Sequence, residues 1–237
     1  MRDPEVLRRE YADESRLLAR RTVFVDLVEG PQAEELAFAA VAEVAPERVL
    51  EVGCGPGYFS ERIGRELAAE VVALDLSPRM VELARARGVD AGVGDVQNLP
   101  FVDGEFDCAV ANWMLYHLPD LERGLAELAR ALRPGGRLVA ATFGADQLRE
   151  LWRLLDFEKT AAVAFNRENG AESLARHFAR VERRDADGVV VFPDRDSVRR
   201  YVAATIRGAH LADNVPSFEG PFRARSRASV FVAETGA

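Results

Sequence analysis

Between residues 48 and 143, short apolar runs alternate with segments whose apolar positions recur every three or four residues. That alternation predicts a parallel sheet covered by helices. The predicted strands are 49–52, 71–74, 89–93, 106–111 and 138–142. Between them Phe59, Ile63 and Leu67 share one helical face and Leu121, Leu125, Leu128 and Leu132 share another, which makes them core residues. Ser77 before Pro78 reads as an N-cap followed by the first helical position, Asp120 as a second N-cap and Gly88 as a helix stop.

The flanks are patterned differently. Residues 1–30 read as a charged helical lid segment, and 31–237 as the main domain, starting with a helix whose Ala33, Leu36, Ala40 and Val44 face the sheet. Beyond residue 143 the pattern predicts helices at 145–156 and 171–178, then strands at 181–184 and 189–192. A helix at 194–207, a loop at 208–220 and a last strand at 228–233 complete it.

The chain of 237 residues is 48% hydrophobic and 30% charged, enough for one sizeable core with an attached lid. It contains no apolar stretch of membrane-spanning length, and its first thirty residues lack the apolar core of a secretory signal, so a cytoplasmic protein is expected. Two cysteines, Cys54 and Cys108, supply neither a disulfide framework nor a multi-cysteine metal site. No Asp, Glu and His cluster has metal-ligand spacing, so no metal is expected. A formal net charge of −8 argues against a partner that is mainly a phosphate backbone.

The chemistry concentrates in Val49-Leu-Glu-Val-Gly-Cys-Gly-Pro-Gly57, a buried strand entering a turn with Gly53, Gly55 and Gly57. A dinucleotide fingerprint would need its third glycine at position 58, which is Tyr58, and does not include Glu51. The stretch instead resembles motif I of the class I, Rossmann-like S-adenosylmethionine methyltransferases, and later segments match that family in order. Val71-Val-Ala-Leu-Asp-Leu-Ser-Pro-Arg-Met80 resembles its second strand, whose terminal acid, here Asp75, holds the ribose diol through two hydrogen bonds. Gly94-Asp-Val96 resembles the adenine-binding segment, with Asp95 meeting the amino group and the Val96 amide a ring nitrogen. Phe106 to Asn112 with Trp113 resembles the fourth strand and its loop, and Leu132-Arg-Pro-Gly-Gly-Arg-Leu138 the turn into the fifth. Within the family the chain looks nearest the ubiquinone/menaquinone-type small-molecule branch.

This resemblance implies an α/β three-layer sandwich around a seven-stranded, mostly parallel sheet with one antiparallel strand near its C-terminal edge. It implies S-adenosylmethionine as cofactor and S-adenosylhomocysteine as product. The implied cofactor contacts are Glu51, Gly53, Cys54, Gly55, Gly57, Asp75, Leu76, Met80, Asp95, Val96, Asn112 and Trp113, with Arg20 or Arg21 of the lid reaching the methionyl carboxylate. His117 is the candidate base, because it follows the fourth strand and titrates near neutrality. Tyr11, Tyr58, Trp113 and Tyr116 are candidates for facing the sulfonium. His177 and His210 are read as surface or lid residues.

A small-molecule acceptor pocket is expected from the N-terminal segment, the loop after Asn112 and an insertion at about 194–226, with Phe192, Tyr201, Ile206, Phe218 and Phe222 as apolar lining. Transfer to oxygen or nitrogen is favoured over carbon, with specialised metabolism a fitting setting. Two other readings compete: an RNA-modifying enzyme using Arg183, Arg184, Arg199, Arg200, Arg223, Arg225 and Arg227 as a phosphate stripe, and a cofactor-binding protein without turnover. The acidic neighbours Glu182, Asp185, Asp194 and Asp196 dilute that stripe. The oligomeric state is open.

Overall fold

The computed structural model describes residues 14–157, 163–206 and 208–236. Its centre is a parallel block of β2 (Arg48–Val52), β3 (Glu70–Asp75), β4 (Asp90–Val93), β5 (Phe106–Val110) and β6 (Leu132–Phe143), as the apolar runs predict. β8 (Phe222–Glu234) runs antiparallel between β6 and β7 (Arg180–Phe192), and the two-residue β1 (Val28–Glu29) closes that edge. The order is β1-β7-β8-β6-β5-β2-β3-β4.

The sheet therefore has eight strands where seven were expected, because Val28 and Glu29 pair with Val190 and Val189. So short a strand leaves no alternation to detect, and its two residues fall inside the segment whose pattern predicts the helical lid. Two further boundaries differ. β7 is one continuous strand where two were predicted, and β8 begins six residues before the predicted 228. The charged stretch of β7 interrupts the hydrophobic pattern but not the ladder, since its ions are matched by neighbours. Arg184 pairs with Glu43 and Glu182, and the buried Arg167 pairs with Asp185 and Asp187.

Strand alternation distributes the core over both faces. Leu50, Val52, Leu138, Ala140 and Phe231 pack on one side with Leu125 and Leu128 of α5 (Leu121–Ala131). Val49, Val139, Ala141, Val230 and Val232 pack on the other with α2 (Ala33–Ala42) and α3 (Tyr58–Leu67). A third cluster joins α1 (Ser15–Asp26), α6 (Arg149–Leu154) and α8 (Arg195–Ala204) over the C-terminal end of β7 and the N-terminal end of β8. Both predicted N-caps form: Ser77 Oγ accepts from the Met80 amide at the start of α4 (Pro78–Ala86), and Asp120 Oδ1 from the Arg123 amide. Among the described residues no helix is long and apolar enough to cross a membrane. The predicted helices beyond β6 are shorter than expected, with α7 at Gly170–Ala175, and the 208–220 loop holds a 3-10 turn at Ala209–Asn214.

Candidate active site

In an open α/β sheet the ligand crevice lies beyond the carboxyl ends of the parallel strands. A cavity of about 700 Å³ occupies that place and is roofed by α1. Its floor is the turn after β2. The Gly53 and Cys54 amides donate to the Leu74 carbonyl at 2.7 and 3.1 Å, and the Gly55 amide donates to Asp75 Oδ2 at 2.9 Å. The other Asp75 oxygen accepts from the Ser77 amide at 2.8 Å. One carboxylate thus ties the glycine turn to the end of β3. Burial pushes Asp75 up from its ordinary range, while the Ser77, Gly55 and Leu76 amides pull it back.

Gly53, with φ +67°, is a glycine for a second reason: a Cβ there would lie 2.8 Å from Cβ of Met114, so its absence lets the loop after β5 sit on the turn. That loop carries Asn112, Trp113, Tyr116 and His117 into the cavity wall. Trp113 has φ +60°, an uncommon and costly conformation for a bulky side chain, and its indole stacks on Phe143 with centroids 4.3 Å apart.

Glu51 is 3% exposed and takes a hydrogen bond from the Ser60 hydroxyl on α3. Burial pushes its carboxyl up to about 8, with Glu34 and Asp75 adding to the rise and Ser60 opposing it. Asp95 is exposed and caps the Val96–Asn98 turn through the Gln97 amide at 2.9 Å. Leu76, Met80 and Val96 complete this wall.

Nearly all the sequence-predicted residues meet here: Arg20, Glu51, Gly53, Cys54, Gly55, Asp75, Leu76, Met80, Asp95, Val96, Asn112, Trp113 and His117 line one cavity. Gly57 does not. With φ +82° it starts α3, and its hydrogen faces Ala84 of α4, so close helix packing explains it. Arg20 donates to the Ala204 carbonyl at 2.6 Å, and Arg21 to Glu34 at 2.9 Å. Tyr201 and Ile206 line the cavity as expected, whereas Phe192, Phe218 and Phe222 pack into the lid core. His177 pairs with Glu122, and His210 sits beside Phe157. Tyr11 lies outside the described residues. Sequence reasoning missed Phe24, Gln147, Trp152, Phe165 and Ser226, which come to the wall from four separate segments with no shared motif.

The arrangement suits a cationic nucleoside. Acids outnumber arginines among the described lining residues, a glycine turn lets backbone approach, and the buried Asn112 Oδ1 has no hydrogen-bond partner among the described residues. Strand order and site together define the class I methyltransferase architecture.

Residues 50–140 match the family described as "Methyltransferase domain". Malonyl-[acyl-carrier protein] O-methyltransferase of Serratia marcescens is 39% identical over 118 residues, covering 48% of this chain and 46% of that one. Ubiquinone biosynthesis O-methyltransferase of Xanthomonas oryzae pv. oryzae is 40% identical over 111 residues, covering 44% and 46%. The chain spans about half the length of these curated relatives. Phosphoethanolamine N-methyltransferase 2 of Haemonchus contortus, solved with phosphomonomethylethanolamine and S-adenosylhomocysteine, superposes with a TM-score of 0.64 at 16% identity, covering 98% of this chain and 59% of that one. The match is carried by residues 50–140, and the fold is that of the class I, Rossmann-like methyltransferases.

Proposed function

We propose that this chain transfers a methyl group from S-adenosylmethionine to a small-molecule acceptor, at oxygen or nitrogen rather than carbon. The observation that carries the reading is the 2.9 Å bond from the Gly55 amide to Asp75 in the wall of one cavity, which joins the glycine turn to the diol-binding acid. When bound, the cofactor supplies a methyl carbon on a positively charged sulfur, and the sulfur keeps the bonding pair as the acceptor atom takes the methyl. The protein's contribution is alignment and exclusion of water. Asp75 holds the ribose hydroxyls, Asp95 and the Val96 amide hold adenine, and Asn112 Oδ1 accepts from a donor on the methionyl arm. Arg20 faces that arm from α1.

His117 serves as proton acceptor for a hydroxyl or amine acceptor. His117→Ala is expected to lower turnover by roughly a hundredfold while leaving cofactor affinity within a factor of about two. Single-turnover rates beside calorimetric affinities check this, and equal turnover would return His117 to a packing role. The broader reading is tested by incubating the chain with methyl-labelled cofactor and a metabolite extract. A labelled product carries the reading, and bound cofactor without any labelled product supports a binding protein instead.

Glu51 gives the site a pH signature. Burial keeps its carboxyl protonated below about 8, against an ordinary value of 4.5, and a nearby cation favours the ionised form. Binding the sulfonium therefore releases a proton, and affinity rises with pH between those limits, then levels off. Calorimetry at pH 7 in two buffers of different ionisation heat should show release of up to about one proton, less with S-adenosylhomocysteine and none in Glu51→Gln. Identical heats in both buffers would contradict the assignment. The same sign makes the Glu51 contribution to stability fully present below 4.5 and lost as pH rises through about 8.

The phosphate-stripe reading loses support because six of the seven arginines it needs are occupied. Arg183, Arg184, Arg199, Arg223, Arg225 and Arg227 each pair with an Asp or Glu.

A further inference from the structure

The cavity extends past the cofactor-binding wall toward α1 and α8, and that end has its own chemistry. Trp113, Phe143, Phe24 and Tyr201 form a continuous row of rings, with successive centroids 4.3, 5.5 and 6.0 Å apart, and Tyr116 stands 6.3 Å from Phe143. All five line the cavity. The row draws on four separate elements, α1, the loop after β5, the end of β6 and α8, and it includes the one aromatic residue among the described residues whose backbone is held at positive φ. Holding an indole there costs free energy that the stack on Phe143 alone does not require, since a stacked ring is compatible with ordinary backbone.

Apart from Arg20, assigned above to the methionyl arm, the polar groups lining this end are uncharged. Gln147, Ser226 and Thr205 line the cavity there, held by hydrogen bonds from Gln147 Nε2 to Ser226 Oγ and from Thr205 Oγ1 to the Val202 carbonyl. Of the described lining residues the arginines are Arg20 and Arg21, engaged with the Ala204 carbonyl and Glu34 respectively. A carboxylate or phosphate placed against this wall would lose its hydration without gaining a bidentate cation, which is a costly exchange. A flat, uncharged ring would exchange water for ring faces and a hydroxyl for a neutral hydrogen bond.

We propose that the acceptor is an uncharged compound with a fused aromatic ring bearing a hydroxyl, held against the Trp113–Phe143–Phe24–Tyr201 wall, and not a carboxylate- or phosphate-bearing acceptor. This deepens the methyltransferase reading and rests on it. It also separates the chain from relatives named for malonyl-[acyl-carrier protein], whose acyl group ends in a carboxylate, although 39% of the matched residues are shared with one of them.

The test is calorimetric titration of the chain, preloaded with S-adenosylhomocysteine, with 1-naphthol, with malonate and with malonyl-loaded carrier protein. Saturable binding of 1-naphthol alone is expected. Phe24→Leu, which keeps bulk but removes a ring, should weaken naphthol binding roughly tenfold, and Phe24→Tyr should keep it within about threefold. S-adenosylhomocysteine affinity should change little in either variant, which also shows that both fold. With methyl-labelled cofactor the label should appear on ring hydroxyls. Naphthol that does not bind a chain which binds S-adenosylhomocysteine, equal binding in both Phe24 variants, or label on the malonyl carrier protein would each overturn the proposal. Failure to bind S-adenosylhomocysteine would instead strike the methyltransferase reading, and the naphthol and malonate titrations, repeated without it, still decide what the wall prefers.

Discussion

Gly57→Ala is expected to lower the unfolding free energy by about 3 kcal/mol, from two sources that can be separated. The residue has φ +82°, where an L side chain costs roughly 1–2 kcal/mol. The added Cβ would also lie 2.8 Å from Cβ and 3.0 Å from Cα of Ala84, and contact with backbone cannot be relieved by a rotamer change, so overpacking adds about 1–3 kcal/mol. Gly88 supplies the comparison, because its φ is +83° and a Cβ there would meet nothing within 4 Å. Gly88→Ala should therefore lose only the backbone part, roughly 1 kcal/mol. Urea unfolding of both variants measures the difference. Equal losses would mean that the approach of α3 to α4 contributes nothing, and that the glycine at 57 answers only to its turn.

That pair of glycines shows what the sequence makes legible. The spacing Gly53-Cys-Gly-Pro-Gly57 announces a turn that backbone must approach closely, and all three glycines have positive φ. The same spacing does not say what approaches each one. Met114 meets Gly53, and Ala84 meets Gly57, thus only the first serves the cavity directly. The strands of the parallel block were readable because both of their faces are buried, which leaves continuous apolar runs. β7 was not, because an edge-side antiparallel strand tolerates Glu182, Arg183, Arg184 and Asp185 when partners along the strand and on neighbouring elements satisfy them. The proposed cofactor wall was legible for the reason that its residues fall at the carboxyl ends of successive strands, at positions the family pattern marks, and they line one cavity. The aromatic wall was half legible: Trp113 and Tyr201 stood out, whereas Phe24 sits on a helix whose apolar residues look like ordinary lid packing.

Asp75→Ala is expected to weaken binding of S-adenosylhomocysteine roughly a hundredfold, about 3 kcal/mol. Each hydrogen bond to a charged group is worth roughly 1.5–3 kcal/mol, and the reading assigns Asp75 two from the ribose diol. Using the uncharged sulfur compound removes the sulfonium's attraction to Glu51 and Asp75, so the loss reports the diol contacts. A second effect must be kept apart from it. Asp75 also accepts from the Gly55 and Ser77 amides, and its removal frees the glycine turn from the end of β3. Asp75→Asn separates the two by degree, since the amide oxygen still accepts from one of those N–H groups while its NH₂ faces the other and loses that bond, so the turn is disturbed less than in Asp75→Ala while the acceptors available to a diol are halved. A turn effect alone predicts that Asn is the milder change in thermal stability and in affinity alike. A diol effect predicts a loss of at least tenfold in Asp75→Asn even though its unfolding temperature falls less than that of Asp75→Ala, and an affinity within threefold of the parent would remove Asp75 from the cofactor site.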